Sequence, residues 1–253
     1  MYIRFFDVVM GEDGQARPNA TIRFSSAVPK GMDIVPVVFI VNECMKRNTE
    51  GLAERILTRI LQMDETNDIN GVKEIQIDCD WTNGTHDNFF KFMDELCKMA
   101  HRDGIKVSAT IRLHQLGQTP PPADKGILMM YNTGDFTDLS CEKPILDMND
   151  VAPYIKNLAD FKLPLSTAYP VFGWNILFRD KQFVGIMHAD GDLPVLPGDT
   201  IVSRQPTLED ILDARDAVER KRKEANDEII LFDLNNKNIN KYNSNEYEKI
   251  FNR

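Results

Sequence analysis

Two aspartates, Asp78 and Asp80, stand two positions apart in residues 74–82, which have the sequence EIQIDCDWT. Apolar and polar residues alternate there, as they do in a β-strand, and a strand projects residues i and i+2 from the same face. The two carboxylates would therefore project together, with Thr82 continuing the row. Two carboxyl groups so close can share one proton, which raises the pKa of one of them and suits acid–base catalysis.

The residues that follow this strand indicate where its polar face would point. Residues 87–102 repeat apolar side chains at helical spacing, so the strand leads into a strongly amphipathic helix. A helix that covers the apolar side of the strand leaves the polar row facing the inside of a (β/α) barrel. Barrel enzymes carry their chemistry at the carboxyl ends of the strands. We therefore predict Asp78 and Asp80 as catalytic carboxylates.

The length of the chain and the order of its predicted elements favour an α/β protein with a TIM-type (β/α) barrel. The chain has 253 residues and one barrel has about 250, so we predict a single domain over residues 1–253. Seven barrel-type strands are predicted, whereas a closed barrel has eight. Because the sequence begins almost at once with a strand, we expect a barrel that lacks its first strand, with a β-hairpin inserted near residues 174–187. The predicted strands are 2–9, 34–41, 73–80, 105–113, 126–132, 163–169 and 228–233, and the predicted helices are 49–62, 87–102, 150–160, 207–225 and 245–251.

Other polar and aromatic side chains are expected near the same strand ends. Alternation along residues 105–113 points Arg112 inward, and His114 continues that row. Residues 126–132 end with either Tyr131 or Asn132 facing inward, since both cannot do so on a regular strand. Carboxylates, an arginine, a histidine and aromatic rings in one opening suit a carbohydrate, whose hydroxyls bind polar groups and whose C–H faces pack on rings. The remaining candidates for substrate binding are Asp7, Glu43, Tyr169 and Trp174.

Composition and motifs argue against several other classes of protein. The net charge of -9 disfavours nucleic acid or an anionic membrane as the main partner. No apolar run approaches the roughly 18 residues of a membrane span, and the first residues do not form a signal peptide. The sequence has no Gly-rich phosphate loop and no histidine spacing typical of a metal site, so we predict neither a cofactor nor a metal. The four cysteines lie far apart, which favours buried free thiols.

Two segments resemble motifs of a known enzyme family. Residues 77–82, IDCDWT, resemble the fourth-strand motif D-x-x-D-x-D-x-E of chitinase-like glycoside hydrolases of family 18. Residues 129–132, MMYN, resemble the sixth-strand motif M-x-Y-D of the same barrels. If the first strand is missing, these segments fall on strands four and six, as the family requires. The resemblance implies that Asp80 polarises or positions the substrate, that Asp78 is its partner, and that Tyr131 contacts the substrate.

Two positions depart from the pattern of that family. Thr82 occupies the place of the glutamate that protonates the glycosidic oxygen, and a hydroxyl cannot serve as an acid near neutral pH. Asn132 occupies the place of the aspartate that follows the tyrosine. The half of the motif that positions the substrate is retained, and the proton donor is lost. A second carboxylate would have to come from another strand, with Asp7, Glu43 and Asp135 as candidates.

A wider pattern resembles an uncharacterised family of exported Bacteroidetes-type barrel proteins. Four segments carry this likeness, which spans most of the chain: RFFDV at 4–8, VPVVFI at 35–40, SATIRLHQL at 108–116 and MMYNTGDF at 129–136. That family has no assigned activity to transfer. It implies an exported or cell-envelope protein if the sequence lacks its natural start.

Two functions are open at this level. The first is a glycoside hydrolase, or a close derivative, that acts on an oligosaccharide or polysaccharide. The alternative is a barrel that binds a glycan without cleaving it, for which Thr82 in place of glutamate is the main argument. Structural roles are open as well: Asp78 and Asp80 would pair with Arg112 inside the barrel, and Trp81 would pack under a helix.

Overall fold

The structure, a computed structural model, describes residues 1–187 and 192–252. Strands and helices alternate along most of this sequence, and the described residues divide into two compact units. The first unit contains Met1–Ile111, Thr119–Ile127 and Lys162–Pro164, and the second contains the other described residues. The assignment of residues 1–253 to a single domain stays a prediction.

Parallel strands form the centre of the first unit. Its strands are β1 (Tyr2–Met10), β2 (Ala16–Asn19), β3 (Val35–Ile40), β4 (Glu74–Cys79) and β5 (Lys106–Ile111). β1 pairs with β3, β3 with β4, and β4 with β5, in each case in parallel, while the short β2 pairs antiparallel with β1. β3 has the sequence VPVVFI and five of its six residues are buried, as expected of a parallel strand covered on both faces.

The first unit also contains two amphipathic helices, α1 (Leu52–Thr66) and α2 (His86–Ala100). Trp81 is 2% exposed and stacks on Phe89 of α2, with ring centroids 5.9 Å apart and an interplanar angle of 16°. The packing of Trp81 under a helix is therefore confirmed. α1 is longer than predicted, and its buried stripe continues from Ile60 to Asp64, whereas Leu61 is 38% exposed.

The second unit combines a parallel strand pair with a small antiparallel sheet. β6 (Lys125–Met129) begins in the first unit and ends in the second. The elements that follow are α3 (Met148–Ile155), β7 (Leu165–Pro170), β8 (Trp174–Arg179), β9 (Gln182–Met187), β10 (Thr200–Arg204), α4 (Leu208–Lys221), β11 (Ile229–Phe232), α5 (Asn236–Ile239) and α6 (Ser244–Phe251). β7 pairs in parallel with β11, and β8 pairs antiparallel with both β9 and β10. The β8–β9 hairpin lies where the sequence predicts one.

The larger sheet has eight strands in the order β11-β7-β6-β5-β4-β3-β1-β2. Seven of them coincide with predicted strands, and the eighth, β2, is a short antiparallel edge strand that the sequence analysis did not predict. This strand order is linear and is consistent with an incomplete barrel in a mixed α/β protein.

Candidate functional site

Asp78 lies on β4 and accepts a hydrogen bond from the neighbouring strand. The Oγ1 atom of Thr110, on β5, donates to Asp78 Oδ1 at 2.7 Å. The strand register pairs Asp78 with Phe39 on β3, and Phe39 with Asp7 on β1. Residues paired in register on parallel strands point to the same face. Asp7, Phe39 and Asp78 therefore form a row near the carboxyl ends of three strands, and all three are partly exposed.

We expect the replacement Thr110→Val to destabilise the protein, because it removes the hydroxyl that donates to Asp78. The side chain keeps its size and branching, and the residue is 7% exposed, so the lost hydrogen bond dominates the effect. Loss of a hydrogen bond to a charged group should lower the free energy of unfolding by about 1–2 kcal/mol. Urea denaturation measures this change, with Thr58→Val on the exposed side of α1 as the matched control. Equal stabilities of the two variants would contradict the role given to Thr110.

Asp80 and Thr82 follow β4 and do not extend its polar row, because the strand ends before them. Both residues are exposed. The backbone N–H of Thr82 donates to Thr85 Oγ1 at 2.9 Å, and the Thr85 hydroxyl donates to Asn42 Oδ1 at 2.7 Å. Thr85 immediately precedes α2, so Thr82 belongs to the turn that starts this helix. Of the predicted row Asp78, Asp80 and Thr82, only Asp78 therefore lies on β4.

Asp7 forms an ion pair with Arg4, a residue of the same strand. Arg4 donates through Nε and Nη2 to the two carboxylate oxygens of Asp7, at 2.5 and 2.7 Å. Residues three positions apart on a regular strand point to opposite faces. A β-bulge between Arg4 and Phe6 shifts the register and brings both side chains of the pair to one face. The Arg4 guanidinium also lies over the Phe39 ring, with Cζ 4.6 Å from the ring centroid.

The other two candidate carboxylates also have local partners. Glu43 follows β3 in a short 3-10 helix and pairs with Lys46 at 2.7 Å, and this hydrogen bond lowers the pKa of Glu43. Asp135, in the second unit, accepts hydrogen bonds from the hydroxyl and the backbone N–H of Thr137 at 2.6 and 2.8 Å, which lower its pKa. These contacts stabilise the charged form of both groups, and a charged carboxylate cannot donate a proton.

Arg112 and His114 lie beyond β5, because this strand ends at Ile111. Both residues belong to the second unit. Both belong to the start of a 3-10 turn, Leu113–Gly117, for which Arg112 is the flanking residue. The backbone N–H of Arg112 donates to Gln115 Oε1 at 2.8 Å, and His114 is exposed. The inward strand row predicted for these two residues is therefore replaced by a turn.

Tyr169 is a core residue and does not offer a ring face to a sugar. It is 0% exposed, and its hydroxyl donates to Asn226 Oδ1 at 2.8 Å. Burial raises the pKa of this hydroxyl. All six residues of β7 are buried, so both faces of the strand are covered. The substrate-binding role predicted for Tyr169 is corrected to a packing role.

The aromatic pocket is a cavity of about 280 Å³ in the second unit, lined by Phe172, Trp174 and Phe232 together with Asn132 and Asp233. Trp174 is half-buried, and its ring centroid lies 5.4 Å from that of Phe172 at an angle of 47°. Phe232, the last residue of β11, is 45% exposed. The pocket thus presents accessible aromatic surface beside polar groups. It contains two of the predicted binding residues, Asn132 and Trp174.

Tyr131 supports the rings of this pocket. Its ring stacks on that of Phe232, with centroids 5.2 Å apart and an interplanar angle of 8°. It also contacts Phe172 edge-on, at 5.9 Å and 90°. Asn132, the next residue, has a left-handed backbone with φ of 56° and lines the cavity. Asn132 therefore lines the cavity, whereas Tyr131 packs against the rings of Phe232 and Phe172.

Several polar residues of the pocket were not predicted from the sequence. Asp233 directly follows β11, and Asn235 Nδ2 donates to Asp233 Oδ1 at 3.1 Å. Asn238 Nδ2 donates to the same oxygen, and Asn238 is 6% exposed. Lys237 also lines the cavity. The run DLNNKNIN at 233–240, which follows the last predicted strand, is the signal that could have revealed them.

Metal clusters, disulfides and membrane helices are not found in the described residues. Within 1–187 and 192–252, no group of three or more His, Cys, Asp or Glu side chains could hold a metal ion. The four cysteines are free thiols, and three of them, Cys44, Cys79 and Cys97, are buried. No helix in these ranges has the length and apolar character needed to cross a bilayer.

Comparison with solved structures identifies the fold. A chitinase from Chromobacterium violaceum ATCC 12472 superposes with a TM-score of 0.63 at 11% sequence identity, covering 98% of this chain and 89% of that chain. The chain has the fold of chitinase-like glycoside hydrolases. A chitinase from Bacteroides thetaiotaomicron superposes with a TM-score of 0.54 at 12% identity, covering 87% of this chain and 74% of that chain. The spore cortex-lytic enzyme SleL of Bacillus cereus gives 0.57 at 13% identity, but this chain spans 63% of its length.

The comparisons extend to the fold and no further. No protein-family model matches the sequence, and no curated protein matches it significantly. The likeness to chitinase-like glycoside hydrolases is confirmed at the level of the fold, and the motif assignments of residues 77–82 and 129–132 stay predictions. The likeness to a Bacteroidetes-type family stays a prediction.

Proposed function

We propose that the protein is a carbohydrate-binding barrel that holds an oligosaccharide in the aromatic pocket. The observation that carries this proposal is the placement of the accessible rings of Trp174 and Phe232 beside the amides of Asn132 and Asn235. A sugar presents C–H faces to such rings and hydroxyls to such amides, so both halves of its surface find a partner. The cavity volume of about 280 Å³ is near the lower end of ligand pockets, which suits one unit of a longer glycan.

The position of the pocket along the strands supports a TIM-type barrel that lacks its first strand. Phe232 ends β11, and Asn132 follows shortly after β6, so both residues lie at carboxyl ends of strands. Ligand sites of barrel proteins lie at that end. In the same proposal the β8–β9 hairpin is an insertion that supplies Trp174 to the pocket.

The first ligand to test is a chitin-type oligosaccharide. Two of the solved structures that share the fold are named chitinases. Chitin consists of sugars that carry acetamido groups, and a side-chain amide can both donate to and accept from such a group. Four asparagines line the cavity, and three of them, Asn132, Asn175 and Asn235, are exposed and can offer their amides to a ligand.

Binding without hydrolysis is better supported than catalysis. Hydrolysis of a glycoside normally needs two carboxyl groups, one of which donates a proton. Asp7 forms a bidentate ion pair with Arg4, and the contacts of Glu43 and Asp135 stabilise their charged forms. If the protein nevertheless cleaves glycans, Asp80 and Asp78 are the carboxylates to which we assign the chemistry.

A hydrolysis screen separates the two alternatives. We expect the intact protein and its Asp80→Asn variant to release the same background amount of reducing sugar from a panel of chitin-type and other glycans. The reason is that Asp7 is held in an ion pair by Arg4, and that Lys46 and Thr137 stabilise the charged forms of Glu43 and Asp135. Release by the intact protein that the Asp80→Asn variant loses would overturn the non-catalytic proposal and favour a hydrolase.

The binding proposal has its own test, which does not depend on turnover. Calorimetric titration with a chito-oligosaccharide is compared with titration by a cello-oligosaccharide of equal length, which lacks the acetamido groups. Saturable binding of the first supports the assignment, and stronger binding than the second supports the amide contacts. No saturable binding of either glycan would sink the proposal.

A further inference from the structure

The arginine groove is a cavity of about 440 Å³ in the first unit, between the β1–β2 hairpin and α1. Apolar residues of the hairpin and of α1 form the floor of this groove, among them Phe6, Ala16, Leu52 and Ile56. Residues 20–34, all of them described, connect β2 to β3 without a helix. In a regular βαβ unit that connection is a helix that covers the sheet. The groove beside α1 is open because that cover is absent.

The rim of the groove is positively charged. Arg17, Arg55 and Arg59 line it against one carboxylate, Glu54. This arrangement is unusual for the chain, which has 39 acidic and 30 basic residues. Arg17 is paired with Asp13 at 2.6 Å. Arg55 is exposed, and its side chain has no ion-pair partner in the described part of the chain.

Arg59 has a buried N–H group that lacks an acceptor. Its Nη2 donates to Thr21 Oγ1 at 2.9 Å, and its Cζ lies 5.1 Å from the centroid of the Phe6 ring. Its Nε is buried and has no hydrogen-bond partner among residues 1–187 and 192–252. A buried donor without an acceptor costs free energy, which a ligand oxygen at this position would recover.

We propose that the arginine groove binds a small amphiphilic anion, with a carboxylate or phosphate head and a short apolar chain. The head would pair with Arg59 and Arg55, since a guanidinium matches the geometry of both anions. The chain would lie on the floor at Ala16. The cavity volume of about 440 Å³ is within the range of ligand pockets. This site is separate from the aromatic pocket and does not rest on the proposed function.

A sugar suits this groove less well than an amphiphile. Phe6 is the aromatic residue of the floor, and it is 1% exposed with the Arg59 guanidinium over its ring. No ring face is therefore available for stacking. The aliphatic surface of Ala16 and the exposed guanidinium group of Arg55 instead match an apolar chain that ends in a negative charge.

Octanoate is the probe that tests both halves of this proposal. Calorimetry with the intact protein compares octanoate with 1-octanol, which lacks the charge, and with acetate and inorganic phosphate, which lack the chain. We expect saturable octanoate binding that is about tenfold tighter than that of any of the other three. Phosphate as the tightest ligand, or no saturable octanoate binding, would overturn the proposal.

Three variants and one control locate the bound anion. Arg59→Gln and Arg55→Gln should each weaken octanoate binding about tenfold, because each removes a charged donor. Arg55 is exposed, so its variant keeps the fold even if Arg59→Gln does not. Ala16→Phe should block the floor without a change of charge, and Arg102→Gln, at an exposed position outside the groove, should have no effect. Octanoate binding that survives Arg55→Gln or Ala16→Phe, or that Arg102→Gln weakens equally, would overturn the assignment.

Discussion

Replacement of Trp174 by alanine should weaken the binding of a chito-oligosaccharide about 30-fold, equivalent to about 2 kcal/mol. The ring of Trp174 is held between Phe172 and Phe136, at centroid distances of 5.4 and 5.3 Å. An aromatic ring that is already fixed in place loses little entropy when a ligand stacks on it. Truncation removes this surface, and calorimetric titration measures the resulting loss of affinity.

The controls for this experiment separate loss of the ring from loss of the fold. Tyr154→Ala removes a ring that is 39% exposed on α3 and does not line the pocket, so we expect unchanged affinity. Trp174→Phe keeps an aromatic ring and should retain most of the affinity. If Trp174→Ala binds the glycan as tightly as the intact protein does, the aromatic pocket is not the binding site.

Replacement of Asp64 by asparagine should stabilise the protein by about 2–3 kcal/mol at about pH 8, and should have little effect at about pH 4. Asp64 is 6% exposed, and neither carboxylate oxygen has a hydrogen-bond partner among the described residues. It lies in the last turn of α1, where the helix dipole disfavours a negative charge. Burial raises the pKa of Asp64 from 3.8 to about 7.

The sign of this effect follows from the pKa of Asp64 in the two states. The folded protein holds the proton up to about pH 7, whereas the unfolded chain releases it near pH 3.8. The unfolded state therefore binds fewer protons in this window, and the free energy of unfolding falls as the pH rises through it. The difference between these two pKa values corresponds to about 4 kcal/mol. The asparagine amide would be buried with the same lack of hydrogen-bond partners among the described residues, so the gain is smaller.

Urea denaturation at the two pH values measures the effect of Asp64→Asn. Glu65→Gln is the matched control, because it removes a carboxylate from the next residue of α1, where the side chain is exposed. That control should change the free energy of unfolding by less than about 0.5 kcal/mol. An Asp64→Asn variant that is no more stable than the intact protein at the higher pH would refute the buried charge.

The periodicity of apolar residues was enough to predict most of the elements. Residues 34–41 form a nearly continuous apolar run and contain β3, and residues 87–102 contain α2 almost end to end. These predictions work because the spacing of buried side chains reflects local backbone geometry. Apolar periodicity predicted the ends of helices and strands less accurately than their centres. α1 continues past residue 62, the predicted end, to Thr66, and its buried stripe includes Asp64.

The candidate site was less predictable, because strand ends and burial decide which side chains come together. Alternation placed Asp80 and Arg112 on strand faces, but β4 and β5 end before them. Tyr169 was a candidate for substrate binding as an aromatic residue near a strand end, but both faces of β7 are covered. Alternation assigns a side chain to one face of a strand and says nothing about what packs against that face.

By itself the sequence predicted seven of the eight strands of the larger sheet and the resemblance to chitinase-like glycoside hydrolases, and the loss of an acid at Thr82 stays a prediction. Each of these rests on residue types and spacing along the chain. The tertiary structure alone decided that Arg4 forms an ion pair with Asp7, because a β-bulge brings the two side chains to the same face of β1. The same structure decided that Asp64 is buried. It also decided that Trp174 meets residues after β11, far away in sequence. Contacts between distant segments depend on how the elements pack, which no local pattern records.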